Sequence, residues 1–325
     1  MSTLLLTRAE IAGLMTPTDY LGAVEAAFRA SKQGLTESPL PMAIHGLGGG
    51  AFHAKGAAML GDKKLAALKL NGNFPGNPAR GLPTIQGAIL LCDAETGALL
   101  AIMDSIEITL RRTAAASALA AKHLAREGAE TVAIVGCGAQ AMTQLEALAN
   151  VLPLKRGIAF DAVQEKADAF AAAASKALPF RAAKSLHEAT LGADVIVTCT
   201  TARAPILDVG DVSPGAFVAA VGADNPEKSE IAPALLARAA VVADVLTQCL
   251  VMGDLHHAVK AGSMTAGQVR AELGDLVVGA KTGRMHDDEI IVFDSTGTAI
   301  QDVASAARVV ERARAACIGI EISLN

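Results

Sequence analysis

The clearest hydrophobic pattern lies after Gly128, where the short apolar runs TVAIV, GIAF, DVIVTCT, AFVAAV and AVVADV alternate with stretches of helical character. These runs are rich in β-branched residues and lack a polar residue at every second place. Strands buried on both faces have that texture, as in a parallel sheet, so this half reads as one doubly wound α/β sheet. A further strand, EIIVFD at 289–294, precedes a last helix rich in Ala and Val that returns to the first domain. The N-terminal half differs. Residues 7–34 form a helical opening, with Thr16-Pro17 as a start signal before the periodic run Leu21 to Ala30. From Pro39 to Leu91, glycines and prolines punctuate short apolar runs such as AALKLNGNF and TIQGAILLC, which predicts a curved sheet. DAETG at 93–97 reads as a hairpin turn between ILLC and ALLAIM, and an Ala-rich helix from Ile106 to Glu127 bridges the two domains. The expected division is an N-terminal α+β domain, 1–118 with the C-terminal helix 303–325, and a Rossmann-type domain, 119–302. No short repeat is evident.

Length and composition narrow the class. The chain has 325 residues, 52% hydrophobic and 19% charged, enough for two domains with separate cores and too apolar for disorder. Trp is absent and Tyr occurs once, so few aromatics are available to stack bases. A net charge of −5 without a basic stripe argues against nucleic-acid binding. The start MSTLLLTRAE is charged too soon for a secretory signal, and no apolar run is long enough to cross a membrane. Five scattered cysteines, an odd number without CxxC, read as reduced, mostly buried thiols of a cytoplasmic protein. No His/Cys grouping has metal-ligand spacing.

The strongest chemical signal is TVAIVGCGAQAMTQLEALAN, a strand, a glycine turn and a helix in succession. Gly136 permits the tight turn, and Gly138 lets the backbone approach a pyrophosphate. Ala141 stands where strand and helix pack closely, while Ala139 and Gln140 lead into a helix whose free N–H groups attract phosphate. Asp161 ends the next strand, 25 residues after Gly136. A carboxylate there accepts hydrogen bonds from the adenosine ribose and repels a 2′-phosphate. Ala162 and Val163 follow rather than an arginine, which favours NAD(H) over NADP(H).

The sequence resembles the ornithine cyclodeaminase/mu-crystallin family. The matching stretches are GLPTIQG (81–87), IMDSIEITLRRTAAASALAAKHLA (102–125), VGCGAQA (135–141), VGADNPEKSEI (221–231) and IIVFDSTGTAIQD (290–302), in the family's order. The resemblance implies an NAD-dependent enzyme of amino or imino acids and a homodimer joined through its N-terminal domain. It implies that Arg112 holds the substrate α-carboxylate and that Lys69 contacts carboxylate and reacting centre. It makes Asp224 the acid–base group, although an N-cap to a helix near Pro226 is the plain alternative. Thr84, Arg112, Thr200, Val221, Gly222, Lys228 and Ser295 resemble family cofactor contacts.

One departure bears on the substrate. Many members carry an arginine where this chain reads GGGAFHAKGAAM. Here His53 and Lys55 alternate, which puts both on one strand face. With Lys69 and Arg112 they make more positive charge than one carboxylate needs, unless His53 and Lys55 merely share the arginine's work. The expected reaction is NADH-dependent reduction of a small α-imino acid to an L-amino acid, or its reverse, with iminosuccinate to aspartate as the specific expectation. A redox-neutral ornithine cyclodeaminase, an alanine dehydrogenase or Δ1-pyrroline-2-carboxylate reductase, and a non-enzymatic crystallin-like binder are the alternatives. His256 and His257 read as a solvated or capping pair rather than a metal site.

Overall fold

A computed structural model describes residues 2–324. The chain divides into two compact units, Met1–Arg112 with Thr298–Asn325, and Thr113–Gly297. The divisions therefore fall at 112/113 and 297/298, a few residues before the 118/119 and 302/303 read from the sequence.

The first unit contains strands β1 (Ser2–Leu6), β2 (Thr36–Glu37), β3 (Met42–His45), β4 (Ala51–Leu60), β5 (Lys64–Asn73), β6 (Ile85–Asp93) and β7 (Leu99–Asp104). Its helices are α1 (Arg8–Ala12), α2 (Pro17–Lys32) and the start of α3 (Ser105–Leu124). The C-terminal helix Ala299–Ala316 and strand Ile320–Ser323 complete it. The single helical opening expected over 7–34 is thus two helices preceded by a strand. Thr16 and Asp19 form a reciprocal capping box at the start of α2, with Pro17 at its first turn. The sheet order is C-terminal strand–β1–β7–β6–β5–β4–β2, with β3 also on β4. At the 93–97 turn, Asp93 Oδ1 accepts the N–H groups of Glu95 and Thr96, and Gly97 adopts φ +75°.

Register decides what each face carries. Lys55 lies opposite Lys69, His53 opposite Asn71, and Lys69 in turn opposite Ile89. This face also bears the buried Ile89 and Leu91, and the C-terminal helix packs against β4, β5 and β6. The other face presents Phe52, Leu68 and Leu70 with Met42 and Ile44 of β3, all exposed.

The second unit contains β8 (Thr131–Val135), β9 (Arg156–Phe160), β10 (Phe180–Ala182), β11 (Val195–Thr198), β12 (Arg203–Leu207), β13 (Phe217–Ala220), β14 (Ser229–Ile231), β15 (Ala240–Ala243), β16 (Ala271–Glu272) and β17 (Ile291–Asp294). Eight of them make one parallel sheet in the order β10-β9-β8-β11-β13-β17-β15-β16. Every residue of β8, β11, β13 and β17 is buried, which explains their unbroken apolar character. The order reverses between β8 and β11, the place where ligands bind in such sheets. Among the described residues no helix is long and apolar enough to cross a membrane. The five cysteines are free, but only Cys249 is fully buried and Cys317 is exposed, so the expectation of mostly buried thiols is corrected.

Candidate active site

In the second unit, β8 delivers the chain to Gly136, whose φ of +95° only glycine adopts without strain. A Cβ there would lie 2.8 Å from the Thr200 methyl and 3.0 Å from the Cys199 carbonyl. Around the Cβ position of Gly138, by contrast, there is open space. Ala139 and Gln140 complete the turn, and helix α4 (Ala141–Ala149) starts on a buried Ala141. Asp161, just beyond β9, turns back to this loop: its Oδ2 accepts the Cys137 N–H at 2.9 Å and its Oδ1 the Val163 N–H at 2.9 Å. Burial, then the Asp161 charge, push the Cys137 thiol up to about 12, so it is no thiolate.

The loops after β11 and β13 bring Thr200, Val221 and Gly222 to the same carboxyl edge, and Ser295 follows β17. Ser295 Oγ and Gln140 Oε1 are buried without a hydrogen-bond partner among the described residues. An open glycine backbone at a helix N-terminus, an acid beside it and unused polar atoms along the edge fit a dinucleotide.

Asp224 is largely exposed and paired with Lys228, whose Nζ lies 2.7 Å from its Oδ1. No helix begins near Pro226; a turn runs into β14 instead, so the N-cap alternative fails. His257 Nε2 lies 2.9 Å from the Lys228 carbonyl oxygen, and His256 Nδ1 lies 3.1 Å from that of Leu250. The histidine pair is thus tied to backbone, and no metal-binding group occurs among the described residues.

In the first unit, Lys69 and Arg112 are buried and converge on a residue that sequence reasoning missed, Asp302 in the first turn of the C-terminal helix. Lys69 Nζ lies 2.7 Å from Asp302 Oδ2, and Arg112 Nε donates to Oδ1 at 2.9 Å. Arg112 Nη1 donates to Gln301 at 3.2 Å. Burial, then the charge of Arg112, push the Lys69 ammonium down to about 7 against the pull of Asp302, with Lys55 adding to the descent. Burial alone raises the Asp302 carboxyl, but Arg112, Lys69 and Lys55 outweigh it and hold the group below its ordinary value. Lys55 and His53 share this face by register. Thr84 is also in this unit, before β6, with its carbonyl accepting the Phe74 N–H at 2.8 Å. Asp302 was within reach of sequence reasoning: a lysine in mid-strand requires a buried anion somewhere.

A sequence profile described as the ornithine cyclodeaminase/mu-crystallin family matches residues 1–316. The alanine dehydrogenase of Archaeoglobus fulgidus is 37% identical over 322 residues, 99% of this chain and 98% of its own. The iminosuccinate reductase of Paracoccus denitrificans is 36% identical over 330 residues, 99% of this chain and all of its own. Its crystal structure with NAD+ superposes with a TM-score of 0.93 at 34% identity, covering 100% of both chains. The Δ1-pyrroline-2-carboxylate reductase of Thermococcus litoralis, in complex with NADH and L-proline, gives 0.94 at 31% identity, covering 98% of this chain and 100% of its own.

Proposed function

Because this chain belongs to the ornithine cyclodeaminase/mu-crystallin family, we propose that it is an NAD(H)-dependent oxidoreductase of amino and imino acids whose preferred substrate is a dicarboxylic α-imino acid, reduced to the L-amino acid. Iminosuccinate, giving aspartate, is the smallest such substrate. The observation that carries the dicarboxylate reading is the charge count of the first unit's cluster. Lys55, Lys69 and Arg112 surround one carboxylate, Asp302. Three cationic side chains gathered about one buried carboxylate suit a substrate with two carboxylates better than a substrate with one.

NADH supplies the hydride that adds to carbon of the protonated C=N bond. The chain's residues do the rest. Arg112 gives a planar fork to the α-carboxylate, and Lys69 adds a compact charge beside it. Lys55, with His53 on the same face, takes the second carboxylate. Asp224, steadied by Lys228, carries the proton for the substrate nitrogen. Gly136, Gly138, Ala139, Gln140, Thr200, Val221, Gly222 and Ser295 cradle the cofactor, Asp161 takes its ribose hydroxyls, and Thr84 is a further contact. The functional form is a homodimer, supported by the exposed apolar face of β3, β4 and β5. An archaeal alanine dehydrogenase of the same fold is described as a dimer.

The test is NADH oxidation with oxaloacetate plus ammonia, pyruvate plus ammonia, and Δ1-pyrroline-2-carboxylate, alongside ornithine with NAD+. The dicarboxylate should turn over fastest. Lys55→Met should then raise its KM and leave pyruvate nearly unchanged, since stranding one partner of a partly buried charge pair costs at most about 3–5 kcal/mol. A clear preference for pyruvate or the cyclic imine removes the dicarboxylate reading, and ammonia release from ornithine would put cyclodeamination in its place.

A further inference from the structure

Glu230 has no part in the reaction set out above. It is fully buried in β14, and among the described residues no cation pairs with it. Three donors hold it instead. Its Oε1 accepts the Thr200 N–H at 2.6 Å, and its Oε2 accepts the Thr198 hydroxyl and the Gly222 N–H, each at 2.7 Å. These donors come from the carboxyl ends of β11, beside the point where the sheet order reverses, and of its neighbour β13.

Two close approaches extend the connection. A Cβ on Gly222 would sit 2.5 Å from the Glu230 carboxyl carbon and 2.5 Å from the Thr200 carbonyl oxygen, so the three groups pack without slack. The Thr200 methyl in turn bounds the Gly136 turn, 2.8 Å from where a Cβ there would be. The Cys199 thiol donates to the Gly136 carbonyl at 3.0 Å. Moving Thr200 therefore moves the wall of the glycine turn. Glu230 is itself fixed: its N–H, with those of Ile231 and the Ser229 hydroxyl, donates to Asp254 Oδ1. The Asp254 N–H donates to Asp294 Oδ1 at the end of β17.

We propose that Glu230 is a positioning residue of the cofactor site, setting the Thr200 and Gly222 backbone and, through Thr200, the Gly136–Gly138 turn, without touching the dinucleotide. This rests on the NAD(H) reading above. A carboxylate suits the place because both oxygens accept. A glutamine of the same shape turns an N–H toward the donors of Thr200 or Gly222. Thr198→Val removes one donor and introduces no such clash.

Two measurements on the full chain test this: NADH titration by its fluorescence, and hydrogen–deuterium exchange of the cofactor-free protein. Glu230→Gln should raise the NADH Kd by about ten- to hundred-fold, the range expected when a charged acceptor is lost. The kcat at saturating NADH should stay near wild type, and exchange should quicken over 198–202 and 220–224. Thr198→Val should do the same to a smaller extent, and it decides the matter if Glu230→Gln does not fold. Unchanged NADH affinity in the folded variants overturns the assignment, as does lost affinity with unchanged exchange, or lost kcat with normal affinity. Wild-type protein that binds no NADH overturns the cofactor reading and this one with it, whereas failure in the variants alone leaves the cofactor reading standing.

Discussion

Lys69 is tolerated in the middle of a buried strand because Asp302 stands 2.7 Å away, yet burial, then Arg112 and Lys55, keep its ammonium close to losing its proton. With a folded pKa of about 7 against an ordinary ~10.4, the unfolded chain binds more protons between those values. The Lys69 contribution to stability therefore rises with pH across that window, and its penalty is fully present below it. Catalysis runs the other way. As pH climbs through about 7, free enzyme loses the charge that attracts a carboxylate, so kcat/KM should fall along a limb with that midpoint. Asp302→Asn removes the neighbouring anion and should move this limb to lower pH; a profile that stays in place denies Lys69 the role. Asp161 makes a separate prediction. Its carboxylate lies against the Cys137 N–H in the glycine turn; if it faces the ribose as proposed, kcat/KM should favour NADH over NADPH. Asp161→Ser should narrow that ratio by about tenfold or more, one lost like-charge repulsion being worth on the order of 1–2 kcal/mol near a surface. Equal use of both cofactors by the wild type would contradict it.

At the scale of elements, the glycine turn after β8 is the part least able to change. Gly136→Ala adds a Cβ against backbone at a φ of +95°, which should cost about 1–3 kcal/mol of stability and abolish measurable NADH binding. Thermal unfolding with and without NADH separates the two effects: wild type should gain melting temperature with cofactor and the variant should not. Thr16→Ala, which removes the α2 capping box, should cost about 1 kcal/mol and leave NADH binding alone. The unbroken apolar runs of β8, β11, β13, β15 and β17 were legible because strands buried on both faces carry their own hydrophobic signature. β10 and β16, of three and two residues, and β1, held by β7 and the C-terminal strand, carry no such signature of their own.

For the whole molecule, alternation on β4 and β5 puts the cationic cluster on one face and Phe52, Leu68 and Leu70 on the other. Met42 and Ile44 extend that exposed apolar surface. Covering it with a second copy is the economical explanation of so many uncovered large side chains. Sedimentation equilibrium should give twice the chain mass of 33.0 kDa. Leu68→Lys with Leu70→Lys should shift the protein to monomer by burying two charges in that contact, without disturbing Lys69 on the opposite face. A variant that sediments as wild type places the contact elsewhere.

The one-dimensional pattern was sufficient for the parallel sheet, the glycine turn and its partner acid Asp161, because each depends on residues close in sequence and on strand periodicity. It also put His53 and Lys55 on one strand face, as the register bears out. What it left open joins distant residues. Asp302 meets Lys69 and Arg112 across 233 and 190 positions (302 − 69 and 302 − 112). Glu230 draws together the ends of two strands that look independent in the sequence. Both are buried carboxylates. Local sequence says only that such a charge is costly; which donors offset that cost is decided when the chain folds back on itself.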